Sequence, residues 1–543
     1  MAMIRGSSCW SSSLQRDMGA CEIGGIDFYT FEQMPETIYD ILAGTADATP
    51  DSVAIVDDDG ARYTFADLAF YADHMAAYLS ERYGVLEGDR VGLLLDASIE
   101  FCATYFACSK IGAVVVPFST KYREREIGPL LSHSELKVLL LDSRYVDRVG
   151  SAISIAPVIE LCDRSGEPGG FGFPAALDAV PSPRAAGGLS SDAVMMYTSG
   201  TTSSSKAVRL SNLNVIHAAM VYQRLMGTTA TDRTVIPVPI YHVTGLIALL
   251  TQFVLAGARV YLHRRFDAHR LLDCVRDEDI TYLHASPTAF EKVLAFKREF
   301  PTLPSMRVIL SGSSYEPVNK MRAFHEWLPH CAFQVVYGLT ETASPALLFP
   351  FDSPTSIYAG ATGKPVPGVD ARIIDDEGFD VETGRVGEVL LRGTCITPGY
   401  FRCDRMAVDE DGWLATGDMG YADRHGMIWV VDRKKDMINR GGEKVWCSCL
   451  EEAIASIDGV GEACVTGIPD DLYGEVPAAA VVLEPGSTLT AESIIASMRD
   501  RVAGFEVPER VLLVDHIPQT SGDKPDRAAV RAMVVEHDKE SNR

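Results

Sequence analysis

Long apolar runs are missing from this sequence. Its most apolar stretch, Val91–Phe118, is broken by Asp96, Glu100 and Lys110, whereas a membrane helix needs about 20 consecutive, mostly apolar residues. No membrane span is expected. The opening Met-Ala-Met-Ile-Arg-Gly-Ser-Ser-Cys-Trp, followed by Ser11–Ser13, has no apolar core of the kind a secretory signal requires. Cysteine is sparse, at 12 of 543 residues, scattered and without a Cys-x-x-Cys pair. The nearest two, Cys447 and Cys449, are too close for ordinary zinc spacing. They read as reduced, buried thiols of a cytoplasmic protein. Basic charge is also short: 49 Lys and Arg stand against 74 Asp and Glu, a net charge of −25. Such a surface repels phosphate backbones and anionic lipid. With no Lys/Arg run to offset it, nucleic-acid binding is not expected.

The residues that are present describe a globular enzyme. Hydrophobic residues make up 47% and charged residues 23%, which excludes a disordered or collagen-like chain. The length allows about three to four domain-sized units. Thr64 can cap a helix whose apolar positions Phe65, Leu68, Ala69, Ala72, Met75, Ala76 and Leu79 recur every three or four residues. A strand over Arg90–Asp96, a helix from Ser98 closed by Gly112, and a strand over Ala113–Phe118 then form a parallel βαβ unit. The alternation continues with Lys137–Leu141, Asn214–Leu225, Thr234–Pro237, Gly245–Ala256 and Arg259–Tyr261. The fold class is α/β with layered sheets. A Gly/Pro/Ser-rich linker, Gly166–Ser190, is expected to separate two α/β lobes. From about Gly360 short strands (Ala371–Ile374, Gly387–Arg392, Met427–Val431) suggest a β-barrel-like subdomain. The expected division is a poorly ordered lead over residues 1–27, a large domain over 28–432 and a small α+β domain over 433–543.

One stretch carries chemistry on its face: Tyr197-Thr198-Ser199-Gly200-Thr201-Thr202-Ser203-Ser204-Ser205-Lys206. Closely spaced hydroxyls and free backbone N–H groups, ended by a Lys, can wrap a polyphosphate. The same composition alone would also suit a flexible linker. It is followed by Tyr337-Gly338-Leu339-Thr340-Glu341-Thr342, Gly412-Trp413-Leu414-Ala415-Thr416-Gly417-Asp418, Asp432-Arg433-Lys434-Lys435-Asp436 and Gly441-Gly442. In this order the set resembles the adenylate-forming superfamily: acyl-CoA synthetases, carrier-protein-loading adenylation domains and firefly-type luciferases. The resemblance runs from about Thr37 to Arg527.

The resemblance implies an ATP- and Mg²⁺-dependent ligase. Thr198, Ser199, Gly200, Thr201, Thr202 and Lys206 would hold the phosphates, and Thr340 would touch them. Glu341 would hold Mg²⁺, a hard cation suited to carboxylate oxygen. Tyr337, beside Gly338, would stack on adenine, with Ser313 in the adenine-side loop Ser311-Gly312-Ser313-Ser314-Tyr315-Glu316-Pro317. Asp418 would accept both ribose hydroxyls, reinforced by Arg433. His242, in Pro239-Ile240-Tyr241-His242-Val243-Thr244-Gly245, would wall the acyl pocket. A His where amino-acid-activating relatives carry an Asp argues for a plain carboxylate. That pocket would include Val243, Ser311–Ser313 and the Ser344–Leu347 region. Lys524 would bridge the carboxylate and α-phosphate. Lys435 would be the hinge on which a mobile C-terminal domain turns, and Gly441 and Gly442 would line the thiol tunnel.

Several positions depart from the family pattern. Ser203, Ser205 and Ala207 replace Gly, Pro and Gly of the phosphate loop. Asp523 replaces the Gly before Lys524, a carboxylate that favours the charged amine. Cys447 and Cys449 stand where Pro and Glu are common. The implied activity is activation of a fatty or aryl acid to acyl-AMP, with transfer to coenzyme A. The rival readings are loading of a carrier-protein phosphopantetheine and a degenerate nucleotide-binding homologue. Whether the protein is a monomer or a homodimer stays open.

Overall fold

The computed structural model describes residues 3–23, 25–156, 158–163, 170–181, 187–198, 206–350, 352–403, 406–519 and 525–541. Two compact units emerge: Met3–Ala371 with Leu391–Leu414, and Arg372–Leu390 with Ala415–Arg543.

The larger unit is built on two sheets. One has seven strands in the order Gly399–Tyr400, Ala207–Ser211, Asp192–Tyr197, Val114–Pro117, Arg90–Leu94, Leu136–Asp142, Ile159–Cys162. The last five are parallel to one another. The other has nine, with Ala332–Tyr337, Val308–Ser311, Tyr282–Ala285, Arg233–Ile236, Arg259–Leu262 and Val53–Val56 adjacent and parallel. The βαβ unit read from sequence is present, with Arg90–Leu94 and Val114–Pro117 paired in parallel around the helix Ile99–Lys110. Every residue of that helix is buried, and its charges are answered. Lys110 Nζ lies 2.6 Å from Asp73 Oδ1, and Glu100 Oε1 accepts the Gly172 N–H at 2.9 Å. Asp96 pairs with Arg144 at 2.9 Å. The polar breaks in the apolar run are thus paired core groups, as buried charge requires. The helix Phe65–Tyr83 starts at a reciprocal Thr64–Asp67 cap and ends at Gly84, whose φ of 60° only Gly adopts cheaply.

Two expectations are corrected. The linker does not separate the lobes. Strands on both sides of it, Val114–Pro117 and Asp192–Tyr197, are neighbours in one sheet, because a crossover can return the chain to the sheet it left. The opening residues also differ from a poorly ordered lead. Ile4–Arg5 pairs with Asp370–Ala371, Met18–Ile23 and Ile26–Phe31 form a hairpin, and Trp10 Nε1–H donates to the Pro365 carbonyl at 2.8 Å.

The smaller unit carries the antiparallel pair Leu414–Ala422 and Ile428–Arg433 from Ala415 onward. It also has a second sheet in which Val460–Asp470 and Gly474–Leu483 form the central hairpin. The helices Cys447–Ala455, Ala491–Met498 and Arg527–Ser541 bury Leu450, Ile454, Ile494, Met498 and Val530 in two apolar clusters of this unit. Among the described residues, no helix is long and apolar enough to cross a membrane.

Candidate active site

In the larger unit the phosphate loop connects two antiparallel strands. Asp192–Tyr197 pairs with Ala207–Ser211, and the Thr198 N–H donates to the Lys206 carbonyl at 3.0 Å, closing the base of the loop. Ser199, Gly200, Thr201 and Thr202, with Ser203 and Ser205, lie outside the described residues. Lys206 continues onto the sheet edge, where its Nζ sits 4.7 Å from the centre of the Tyr400 ring. Tyr400 belongs to the edge strand paired with Val208–Arg209, and its hydroxyl donates to Glu341 Oε1 at 3.0 Å. The Glu341 carbonyl accepts the Thr397 N–H at 2.8 Å, and Thr397 Oγ1–H donates to the Arg209 carbonyl at 2.5 Å. A cation on the seven-stranded sheet is therefore linked through one phenol to a carboxylate on the nine-stranded sheet. Tyr400 was not read from the sequence. Its only local signal is a Gly-Tyr pair after Pro398.

Glu341 stands in a tight connection between Ala332–Tyr337 and the antiparallel Leu347–Leu348. Gly338 is obligatory there, because a Cβ would lie 1.3 Å from the Ser344 carbonyl oxygen. The chain turns through Thr340–Thr342, tied by the Leu339 N–H to Thr342 Oγ1 at 2.9 Å, and leaves through Ala343 and Ser344 at φ 52° and 102°. Two non-glycine residues in succession with positive φ are a local cost that a site can hold. This turn leaves Thr340 and Glu341 half-buried rather than in the core. A single carboxylate fits Mg²⁺, which keeps several waters and takes its other ligands from substrate phosphates. Glu341 is a residue that could hold it.

The parallel strands of the nine-stranded sheet deliver the other predicted residues at one edge. Neighbouring strands end at Ile236, Ala285, Ser311 and Tyr337, and His242, Ser313 and Gly338 follow these carboxyl ends. Ligands in open α/β sheets bind at such ends. The His242 N–H donates to the Pro239 carbonyl at 3.1 Å. Gly245 permits this turn, since a Cβ would come within 2.6 Å of the Pro239 carbonyl oxygen. Where the apolar spacing predicts an α-helix over Gly245–Ala256, Thr244–Thr251 winds as a π-helix before Gln252–Leu255 becomes α-helical. Such wide turns occur often at functional sites.

Behind Gly338, the Tyr222 hydroxyl and Ser344 Oγ are 2.9 Å apart and buried, and the Tyr222 ring lies 5.8 Å from that of His284. Burial pushes the His284 imidazole down to about 3, so it is neutral. Tyr222 and His284 carry no motif and were not predicted.

In the smaller unit, Asp418 and Arg433 face each other across two strands. Arg433 Nε donates to Asp418 Oδ1 at 2.8 Å. Asp418 is only 2% exposed, while Arg433 reaches solvent. A partly exposed pair of this kind contributes up to ~1 kcal/mol, so its main effect is to fix the carboxylate. Lys435 lies exposed in the following turn. That turn is stapled to the helix Cys447–Ala455: Asp432 accepts the Ser448 N–H at 3.1 Å, and Cys447 Sγ donates to the Asp436 carbonyl at 3.1 Å. Burial pushes the Asp432 carboxyl up. Gly441 and Gly442, at φ 59° and 99°, form the two-residue tip of the hairpin Ile438–Arg440 to Glu443–Val445. That turn itself demands positive φ at both positions. Lys524 lies outside the described residues. The chain flanking it is closed by a Gln519–Pro525 bridge and by the Asp526 N–H donating to the Pro518 carbonyl at 2.8 Å.

Comparison with known proteins shows the family of the chain. The family described as AMP-binding enzyme matches residues 42–401, and the AMP-binding enzyme C-terminal domain matches residues 450–524. An indoleacetate–CoA ligase of Aromatoleum aromaticum is 32% identical over 481 residues, covering 87% of this chain and 93% of its own. A 2-succinylbenzoate–CoA ligase of Bacillus velezensis is 32% identical over 488 residues, covering 89% and 95%. Among solved structures, ATP-bound MatB from Rhodopseudomonas palustris superposes with a TM-score of 0.84 at 26% identity, covering 91% of this chain and 98% of its own. MenE from Bacillus subtilis, an o-succinylbenzoate-CoA synthetase in complex with ATP and a magnesium ion, does so with a TM-score of 0.80 at 27% identity, covering 91% and 99%.

Proposed function

Because the chain belongs to the AMP-binding enzyme family, we infer that it activates a fatty or aryl carboxylic acid with ATP and passes the acyl group to coenzyme A. A carboxylate oxygen of the acid attacks the α-phosphorus, the bond to pyrophosphate breaks, and acyl-AMP forms. The coenzyme A sulfur then attacks the acyl carbon, AMP leaves, and the thiol proton is released. No side-chain nucleophile is needed, so positioning and charge stabilisation supply the rate. The observation that carries this reading is the Lys206–Tyr400–Glu341 chain. A cation that could meet phosphate and a carboxylate that could hold a metal thus share one phenol, which supports the reading. When bound at Glu341, Mg²⁺ neutralises triphosphate charge.

The remaining roles follow the residues. Thr198–Thr202 and Lys206 wrap the phosphates with Thr340. Tyr337, Gly338 and Ser313 frame the adenine. Asp418 takes the ribose hydroxyls with Arg433 fixing one of its oxygens. His242 walls the acyl pocket, Lys524 meets the developing charge, and Lys435 is the hinge before the C-terminal domain. Relatives acting on indoleacetate and 2-succinylbenzoate favour an aryl-substituted acid, and the neutral polar set Tyr222, His284 and Ser344 suits one. The twelve cysteines are free, which supports a reducing, cytoplasmic setting.

The test is pyrophosphate release with Mg·ATP over fatty, aryl and amino acids, with and without coenzyme A. Release with one acid class, and a thioester only when coenzyme A is present, is the expected result. Adenylate without transfer would redirect the acceptor to a carrier protein, and no release with any acid would overturn the activity. Within the same assay, Tyr400→Phe keeps the ring facing Lys206 but removes the hydrogen bond to Glu341. It is expected to raise KM for Mg·ATP about tenfold, the scale of one charge-assisted hydrogen bond. An unchanged KM would remove Tyr400 from the site.

A further inference from the structure

The turn between the strand Val308–Ser311 and the helix Val318–Trp327 holds a carboxylate that the reaction above does not use. Ser311 ends its strand fully buried. Gly312 packs so closely on Val336 that a Cβ would lie 2.8 Å from Val336 Cγ1 and 2.9 Å from its carbonyl oxygen. Ser313 then sits at φ 77°, a left-handed conformation that a side chain disfavours. Glu316, only 3% exposed, folds back across this turn, and its Oε2 accepts the Ser311 hydroxyl at 2.5 Å. Its Oε1 is buried without a hydrogen-bond partner among the described residues. The charged groups acting on it are Lys320, on the helix it introduces, and Glu291, on the helix Pro287–Leu294. Lys320 Nζ is also held 2.6 Å from Glu291 Oε2, so the ammonium that draws the Glu316 carboxyl down is countered by a second carboxylate that pushes it up.

We propose that Glu316 is the positioning residue of the adenine-side turn: its bond from Ser311 keeps Gly312 seated on Val336, next to Tyr337, and keeps Ser313 in its left-handed conformation. The proposal rests on the adenylation reading for its functional meaning. A neutral carboxyl group accepts the Ser311 hydroxyl and needs no counter-charge. An ionised one, desolvated and bare at one oxygen, is drawn toward water and away from the turn.

Burial pushes the Glu316 carboxyl up to about 7. A carboxyl group raised in the folded state contributes stability that is complete below the ordinary carboxylate range. That stability is lost as pH rises through about 7. The turn is therefore firmest in mildly acidic solution and loosens above neutrality.

The experiment compares the full-length wild type with Glu316→Gln and Glu316→Leu across neutral pH. It reads KM for ATP in pyrophosphate release and the thermal midpoint at each pH. Wild-type KM for ATP should rise about tenfold from mildly acidic to mildly alkaline pH, the scale of one buried hydrogen bond. The Glu316→Gln variant should stay at the low value throughout, since its amide oxygen accepts the same bond and never ionises. Its advantage over the wild type in thermal midpoint should grow as pH rises from the ordinary carboxylate range and be complete above about 7. Glu316→Leu should show the high KM at every pH. Parallel profiles for wild type and Glu316→Gln, or a wild-type KM in Glu316→Leu, would overturn the proposal. Should no acid give pyrophosphate, the adenylation reading fails by itself, and the thermal midpoints still decide whether Glu316 titrates in the turn.

Discussion

Lys524→Ala is expected to lower acid-dependent pyrophosphate release by ~10²–10³, the usual loss when one charge-stabilising group is removed at a reacting centre. Thioester formation from supplied acyl-AMP should stay within a few-fold of wild type. The reason is where charge gathers. Adenylation brings a carboxylate onto an α-phosphate, and a compact ammonium stabilises the oxygens that crowd there. Thiol attack on acyl-AMP begins from a mixed anhydride and sheds AMP, so the same amine has less to do. The described residues on either side of Lys524 are held in place: Gln519 pairs with Pro525, and Arg527 is anchored to Glu451. Measuring both half-reactions on one preparation decides the matter. Equal loss in both would sink the divided role.

What the sequence made legible is what short range encodes. The Thr64 cap, the Arg90–Phe118 βαβ unit and the order of the phosphate, Tyr-Gly-Leu-Thr-Glu and Asp418 motifs all depend on residues within a few positions of each other. The cap and the βαβ unit stand where the periodicities put them. Tyr400 escaped because its value comes from an edge-strand pairing that brings it to Glu341, 59 residues away in sequence. Glu316 was visible only as an unusually polar loop residue. That it is buried and half-satisfied depends on how Gly312 meets Val336. The linker misled for a related reason: glycine and proline mark a loop, but not the sheet to which the chain returns. Gly441 and Gly442 show a third case. The motif was read as a tunnel lining, and the hairpin tip they form accounts for two positive φ values with no ligand at all.

Arg527→Met should destabilise the smaller unit by roughly 1–3 kcal/mol, because it removes one partner of a half-buried, multiply hydrogen-bonded ion pair. Arg527 Nη2 donates to Glu451 Oε2 at 3.1 Å, and Nη1 donates to Glu451 Oε1 and, at 2.5 Å, to the Val465 carbonyl. Glu451 Oε1 also accepts the Val465 N–H at 2.7 Å. The guanidinium thus ties the helix Arg527–Ser541 to the helix Cys447–Ala455 and to the strand Val460–Asp470. Burial already pushes the Glu451 carboxyl up despite the neighbouring Arg. Without Arg527 that half-buried carboxylate keeps only the Val465 N–H and loses its counter-charge. The sign of the pH dependence follows: a group whose folded-state pKa is raised costs nothing while protonated, so the defect is full at neutral and alkaline pH and shrinks on acidification. Adding Glu451→Leu to Arg527→Met replaces the pair by apolar volume and should recover most of the loss, since such exchanges are often near neutral. Thermal unfolding of the single and double variants at alkaline and acidic pH tests all three statements. A single variant as stable as wild type at alkaline pH, or a double variant no better than the single, would mean that the pair does not hold this unit together. Because the anchor lies three residues from Lys524, the single variant should also lose adenylation more than its unfolded fraction explains. That would link the stability of the small unit to the role proposed for Lys524.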